Sequence, residues 1–209
     1  MWEYRLIWDA APPPWWDETW NGVVTTLQRQ SRAPEDRSDT YLVIADRPDI
    51  GLKQRGKAGE LELKVRHDAR DGWELWEKIP FFTWNALESA RFAALLQREL
   101  PHGPAGANVT PIDGVKALLS GGGVAWREAA VGKTRMQARA GDLVPGWSSN
   151  GVEPAWLAEI VEITGAGPTA RSICFETMAP EEGIGGAVPG STTALNQGYP
   201  EFLISATDV

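Results

Sequence analysis

The segment IGLKQRGKAGELELKVR, residues 50–66, is typical of a β-hairpin whose turn is flanked by Gly56 and Gly59. In its second half, polar and apolar residues alternate strictly. Because side chains alternate across a strand, the apolar ones share one face, and the other face carries Glu60, Glu62, Lys64 and Arg66. Lys53 and Arg55 share a face of the first strand for the same reason. The hairpin therefore has one apolar face and one strongly charged face.

Strands and helices on both sides of this hairpin predict an α+β fold with a mainly antiparallel sheet. Strands are expected at Glu3–Trp8, Thr40–Ala45, Trp73–Ile79, Val124–Val131, Lys133–Arg139, Trp156–Thr164 and Ala170–Thr177. Helices are expected at Trp15–Gln30 and at Trp84–Leu100, the second with Thr83 as its N-cap. A short helix is expected to begin at Pro111 and to end at the glycine run 121–123.

Two arrangements suit strands that are polar on one side and apolar on the other. They form either a half-exposed sheet or a barrel whose apolar side packs outward on helices. We predict a single domain over residues 1–209, a mainly antiparallel β-barrel or tunnel with a polar lining, flanked by two or three helices. In this arrangement the helices cover the apolar face of the hairpin and its charged face points inward.

Composition excludes several classes of function. The chain has 209 residues, a formal net charge of −8, one cysteine and two histidines. A lone Cys174 leaves no intramolecular disulfide and no cysteine-based zinc site, and an acidic chain is not expected to coat nucleic acid. No apolar run reaches the ~18 residues of a membrane-spanning helix, so we expect no membrane partner. The start of the chain lacks the order of a signal peptide, which predicts a cytoplasmic protein; the oligomeric state is left open.

Two basic segments stand out in this acidic chain. Arg47–Arg66 holds six basic and three acidic residues, and Arg127–Arg139 holds four basic residues and one acidic residue. If these segments meet in space, they form a confined site for a small anionic ligand. If they do not, they are solvated strand faces.

Several motifs resemble the CYTH, or triphosphate tunnel metalloenzyme, superfamily. DTY (39–41) is similar to the start of that family's DTYYDTP-like strand, and PDIGLKQRG (48–56) to its strand with two cofacial basic residues. LELKVR (61–66) resembles its strand with a phosphate-contacting lysine, and KTR (133–135) resembles its later K-x-R strand. Glu176 is similar to a late carboxylate on the metal side of the family's site.

The resemblance implies an eight-stranded antiparallel tunnel that binds triphosphates. Family activities include thiamine, inorganic and RNA triphosphate hydrolysis and adenylyl cyclisation. The resemblance implies catalytic roles for Lys64 and Arg66, and substrate-binding roles for Lys53, Arg55, Lys133 and Arg135. It also implies Mg²⁺ or Mn²⁺ as cofactor, with Glu60, Glu62 and Glu176 as the metal-side carboxylates, since such hard cations prefer oxygen ligands.

The first strand departs from the family pattern. The hallmark E-x-E-x-K is missing from EYRLI (3–7), whereas a literal Glu60-x-Glu62-x-Lys64 stands in a later strand. Either Glu60 and Glu62 have taken over metal binding, or the metal site is degraded. Three hypotheses follow: a metal-dependent hydrolase of a triphosphate-containing small molecule, a non-catalytic barrel that binds a polyphosphate or other small anion, and a barrel that binds an apolar ligand through some of the 11 tryptophans.

Overall fold

The computed structural model describes residues 1–29, 33–56, 60–96, 109–139, 157–165, 169–180, 184 and 188–206. Its strands are β1 (Trp2–Trp8), β2 (Glu35–Ile44), β3 (Ile50–Arg55), β4 (Leu61–Arg70), β5 (Trp73–Phe81), β6 (Trp126–Arg139), β7 (Leu157–Thr164), β8 (Ala170–Thr177) and β9 (Leu195–Asn196). Its α-helices are α1 (Trp16–Arg29), α2 (Ala86–Leu95), α3 (Pro111–Gly121) and α4 (Tyr199–Ser205), and a 3₁₀ turn covers Ser191–Thr193.

The strands form one sheet in the order β5-β4-β3-β2-β6-β7-β8-β1-β9. Strand β1 also pairs with β5, so the eight long strands close into an antiparallel β-barrel. The predicted α+β fold class is confirmed; the described residues hold four α-helices, where two or three were expected. The hairpin at residues 50–66 is confirmed as β3 and β4, with Lys53 directly opposite Glu62; its turn residues 57–59 lie outside the described part.

By its internal contacts the chain divides into two compact units. The first unit comprises Met1–Arg37, His67–Trp76 and Gly132–Gly198, and the second comprises Ser38–Arg66, Glu77–Val131 and Tyr199–Val209. The single domain over residues 1–209 stays a prediction.

The core of the first unit lies between α1 and a sheet face. Trp16, Val23 and Leu27 recur at helical spacing on α1 and are buried against apolar side chains of β1, β6, β7 and β8. Four tryptophans are buried in this core: Trp2, Trp8, Trp16 and Trp73. Because they pack between helix and sheet, they support a structural role for these aromatics. The opposite face of the same strands carries the polar side chains described below.

The core of the second unit lies between α2, α3 and the apolar side of the hairpin. Leu61, Leu63 and Val65 are buried in one cluster with Phe92 of α2 and Leu119 of α3. This confirms that helices cover the apolar face of the hairpin. The charged face of β3 and β4 is therefore the one turned away from these helices.

Some predicted boundaries differ from the structure. Helix α2 begins at Ala86 and has Asn85 as its N-cap, since the Asn85 side chain accepts hydrogen bonds from the backbone N–H groups of Leu87 and Glu88. The predicted end of this helix, residues 97–100, lies outside the described part.

The two strands predicted on either side of Gly132 are the single strand β6. The strand continues through Gly132, which pairs with Thr164 of β7. Glycine is suited to this position because a Cβ would lie only 2.5 Å from the Thr164 hydroxyl.

Gly114 in α3 is required by close packing. A Cβ at this position would lie 2.1 Å from the indole ring of the buried Trp84. We expect Gly114→Ala to lower the free energy of unfolding by about 1–3 kcal/mol, because the ring has to move inside a packed core. Gly22 is the matched control, since it is exposed in α1 and a Cβ there meets nothing within 4 Å. Gly22→Ala should stabilise by about 0.5–1 kcal/mol; equal effects of both substitutions in urea denaturation would contradict the packing argument.

Candidate functional site

The second unit carries a polar sheet face on β2, β3 and β4, which we call the second-unit face. Strand register places Tyr41, Lys53 and Glu62 side by side across the three strands. The Nζ atom of Lys53 lies 2.7 Å from Oε1 of Glu62, and Nη2 of Arg55 lies 2.7 Å from the other carboxylate oxygen. Glu62 therefore bridges two predicted substrate-binding cations.

The charges on this face perturb one another. Burial and the neighbouring Lys64 charge lower the pKa of Lys53 to about 8, and the Glu62 carboxylate only partly opposes this effect. Burial of Glu62 favours its neutral form, but the charges of Lys53, Arg55 and Lys64 together hold its pKa below the ordinary value. Three cations thus act on one carboxylate, and Asp39, opposite Arg55, is a second buried carboxylate on the face.

Helix α4 approaches the same face. Tyr199 makes an edge contact with Tyr41, with ring centroids 6.3 Å apart, and Glu201 lies 3.7 Å from the Arg66 guanidinium. Gly51 permits the approach, since a Cβ there would be only 3.2 Å from Pro200 and 3.3 Å from the Lys64 side chain. The predicted catalytic pair is therefore next to α4: Lys64 is half-buried near Pro200, and Arg66 is held by Glu201.

The first unit has its own polar face, formed by β1 and β5 to β8, which we call the first-unit face. Its centre is the buried carboxylate of Glu159, which lies 2.9 Å from Nη1 of Arg135 and 3.7 Å from Nη1 of Arg5. Arg135 also pairs with Glu35 at 2.6 Å. Burial opposes ionisation of Glu159, but the charges of Arg5, Arg135 and Lys133 outweigh it and lower its pKa.

One group of described residues on the first-unit face has the donor atoms for a metal. Glu3, Cys174 and Glu176 each offer an atom within 4.8 Å of the others, and Glu3 and Glu176 are direct neighbours across β1 and β8. Burial raises the pKa of the Cys174 thiol, so this donor is neutral at physiological pH. Arg5 lies on the same face, and its Nη2 is 3.7 Å from Oε2 of Glu3.

This donor set does not fit a Mg²⁺ or Mn²⁺ ion well. Both ions favour oxygen ligands. The group supplies two carboxylates and a protonated thiol, and a guanidinium already pairs with one of the carboxylates.

The structure groups some of the predicted site residues. Lys53, Arg55, Glu62, Lys64 and Arg66 share the second-unit face, whereas Lys133, Arg135 and Glu176 are on the first-unit face. Glu60 precedes β4, and its backbone carbonyl accepts a hydrogen bond from the Arg55 N–H group. The metal-binding roles of Glu60 and Glu62 stay predictions; the Glu62 carboxylate is paired with Lys53 and Arg55.

The sequence patterns did not predict three residues of the first-unit face, namely Glu3, Arg5 and Glu159. The signal that could have found them is the alternation of side chains along a strand. Glu3 and Arg5 are two residues apart in β1 and so share a face, and Glu159 is the one charged residue in the segment AEIV of β7. Alternation predicts a shared strand face, but not the contacts between strands.

No protein-family model matches the chain, and no curated protein matches it. Among solved structures, it is similar to the PH1012 protein of Pyrococcus horikoshii, with 13% identity over 95% of this chain and 98% of that one and a TM-score of 0.44. It is also similar to a putative adenylyl cyclase of Hippeastrum with a dominant triphosphatase activity, with 13% identity over 86% of this chain and 80% of that one and a TM-score of 0.42. A putative adenylate cyclase of Bacillus halodurans matches with 13% identity over 85% and 81% of the two chains and a TM-score of 0.38.

Among the described residues, no helix has both the length and the apolar character needed to cross a membrane.

Proposed function

We propose that this protein binds a triphosphate-containing small molecule on the second-unit face, with Lys53, Arg55, Lys64 and Arg66 as the phosphate-contacting groups. The observation that carries the proposal is the crowding of cations around Glu62. Burial is the larger cause of the lowered pKa of Lys53, and the like charge of Lys64 lowers it further, so each added cation on this face makes the charged lysine less favourable. A polyanion would offset the cost, because each phosphate oxygen accepts charge-assisted hydrogen bonds from several cations.

Hydrolysis of the bound triphosphate is the reaction that such a face would serve. Phosphoryl transfer needs positioning and neutralisation of charge more than covalent chemistry by the protein. Arg55 and Arg66 supply planar donors for phosphate oxygens, and Lys64 supplies a point charge. Lys133 and Arg135, on the first-unit face, remain predicted substrate ligands. A requirement of hydrolysis for Mg²⁺ or Mn²⁺ is the alternative to catalysis by the protein cations alone, and the following experiment tests it.

The test is a thermal-shift titration with tripolyphosphate, repeated with ATP, because a ligand that binds only the folded state raises the apparent stability. Each titration is run with EDTA, with Mg²⁺ and with Mn²⁺, and phosphate release is measured in parallel. Stabilisation by both triphosphates, and none by acetate at equal ionic strength, is the expected result. Absence of a shift under all three conditions would contradict binding on this face.

Phosphate binding should weaken as the pH rises through the pKa of Lys53. This lysine is charged below about pH 8 and loses its charge above it, so the face loses one cation while ATP, whose phosphates are already ionised at the lower end of this range, keeps its charge. Between about pH 7 and pH 9.5 we expect the affinity for ATP to fall roughly tenfold, which corresponds to about one pKa unit of coupling between the two sites. Isothermal titration calorimetry measures this change.

Lys53→Arg is the matched control for this pH dependence, because a guanidinium stays charged over the whole range. Its affinity should vary much less with pH. If the wild type and Lys53→Arg lose affinity in parallel, Lys53 is not the titrating group.

A further inference from the structure

Arg5 is a buried cation on the first-unit face. Only 6% of the residue is exposed, and its Nη1 donates a hydrogen bond to the Ser172 hydroxyl at 3.1 Å. The same guanidinium lies 3.7 Å from Glu3 and 3.7 Å from Glu159. It thus contacts β1, β7 and β8, and it faces Cys174 directly across β1 and β8.

Several carboxylates lie on the same face as this guanidinium. Glu74, Glu3 and Glu176 stand in one row across β5, β1 and β8, because Glu3 is in register with both of the others. Glu159 is two strands from Arg5 on the same face, opposite Cys174. Neighbouring carboxylates in a poorly solvated place need a cation among them if they are to stay ionised together. Arg5 is such a cation for Glu3, and it acts on Glu159 together with Arg135.

A divalent metal would compete with Arg5 for the same group. An ion held by Glu3, Cys174 and Glu176 would be close to the guanidinium, since Arg5 is paired with Glu3 and is the cross-strand neighbour of Cys174. The positive charges of the metal ion and the guanidinium would repel each other strongly, because little water screens them in this buried place. The metal would therefore have to displace the guanidinium from Glu3, which would leave a buried arginine with one partner fewer.

We infer that Arg5 takes the place of a divalent cation on the first-unit face, and that polyphosphate binding by this protein needs no Mg²⁺ or Mn²⁺ held by Glu3 and Glu176. The second half of the inference rests on the proposed function. The first half concerns only the carboxylate cluster and can be measured without any phosphate. Arg5 is therefore a specificity-determining residue, because its guanidinium occupies the place that a metal ion would take among the carboxylates of the first-unit face.

The first experiment measures Mn²⁺ binding to the full chain by calorimetry and thermal shift, with no phosphate present. We expect no stoichiometric binding by the wild type up to about 1 mM Mn²⁺. Arg5→Gln removes the guanidinium charge and should raise the affinity for Mn²⁺ by about 10–100-fold, the size typical of changes next to a metal ligand. Arg5→Glu adds a carboxylate and should raise it further.

Arg171→Gln is the matched control. Arg171 is on β8 in the same unit but on the other side of the strand, where it pairs with Glu162 at 3.5 Å. The substitution makes the same change in charge and should leave Mn²⁺ binding as in the wild type. One Mn²⁺ bound by the wild type with micromolar affinity would overturn the inference, and so would a folded Arg5→Gln variant with no gain over Arg171→Gln. If Arg5→Gln does not fold, the wild-type titration decides alone.

The second experiment compares the affinity of the wild type for tripolyphosphate in EDTA and in Mn²⁺. An affinity in Mn²⁺ that is equal to or lower than the affinity in EDTA is expected, because tripolyphosphate itself chelates Mn²⁺ and the complex carries less negative charge. An affinity more than tenfold higher in Mn²⁺ would overturn metal-free binding. If tripolyphosphate binds under neither condition, the proposed function fails, while the Mn²⁺ comparison of wild type and Arg5→Gln still tests the role of Arg5.

Discussion

Lys64→Ala should weaken tripolyphosphate binding by about 10–100-fold, because a hydrogen bond to a charged group contributes ~1.5–3 kcal/mol. Lys64 is half-buried on the second-unit face, and its charge acts on both Lys53 and Glu62. Part of the loss is offset, since removal of Lys64 also relieves repulsion on Lys53 and raises the pKa of that lysine. Calorimetry at fixed salt concentration measures the change in affinity.

Lys116→Ala is the control for this prediction. Lys116 lies on α3, which covers the apolar side of the hairpin, and it pairs with Glu128 at 2.7 Å. Its removal changes the net charge of the protein equally but takes no cation from the second-unit face. Equal losses of affinity in the two variants would mean that the anion senses only the overall charge and that no site exists on this face.

The fold was predictable where the sequence pattern is local. Strict alternation in LELKVR identified both faces of β4, and the apolar face is the one that α2 and α3 cover. Boundaries were less accurate, because Thr83 and Asn85 are both good N-cap residues and sequence alone does not choose between them. Gly132 was predicted to separate two strands, because nothing local shows that a glycine is needed there. The Thr164 side chain that excludes a Cβ at this position is 32 residues away in the chain.

The candidate site was only half predictable, because contacts across strands depend on register. The cations at Lys53 and Lys64 are neighbours within one hairpin, so their shared face follows from the period of two. The contact between Arg5 and Glu159 joins residues 154 positions apart and depends on β8 lying between β1 and β7. Nothing local in EYRLI or AEIV fixes that strand order.

Glu159→Ala should be among the most destabilising substitutions on the first-unit face. The carboxylate is buried and is shared by Arg135 at 2.9 Å and Arg5 at 3.7 Å. Removing one partner of a buried ion pair typically costs ~3–5 kcal/mol, because a charge is left without compensation. Here we expect the lower part of that range, since Glu35 still pairs with Arg135 and Glu3 with Arg5. Urea denaturation at neutral pH gives the free energy of unfolding.

Glu159→Gln keeps the shape of the side chain and removes only its charge. Comparing the pH dependence of stability in this variant and in the wild type therefore isolates the electrostatic contribution of the Glu159 carboxylate. The folded-state pKa of Glu159 is lowered from an ordinary value of 4.5. The stability that this group contributes is therefore present above pH 4.5 and is lost as the pH falls through the lower folded-state pKa. Between about pH 5 and pH 3 the wild type should lose more stability than Glu159→Gln, although Asp49 and Glu62, whose pKa values are also lowered, titrate in both proteins. Parallel losses would show that the two arginines do not stabilise the ionised form of Glu159, and the ion-pair network would then be a consequence of the fold and not a contribution to its stability.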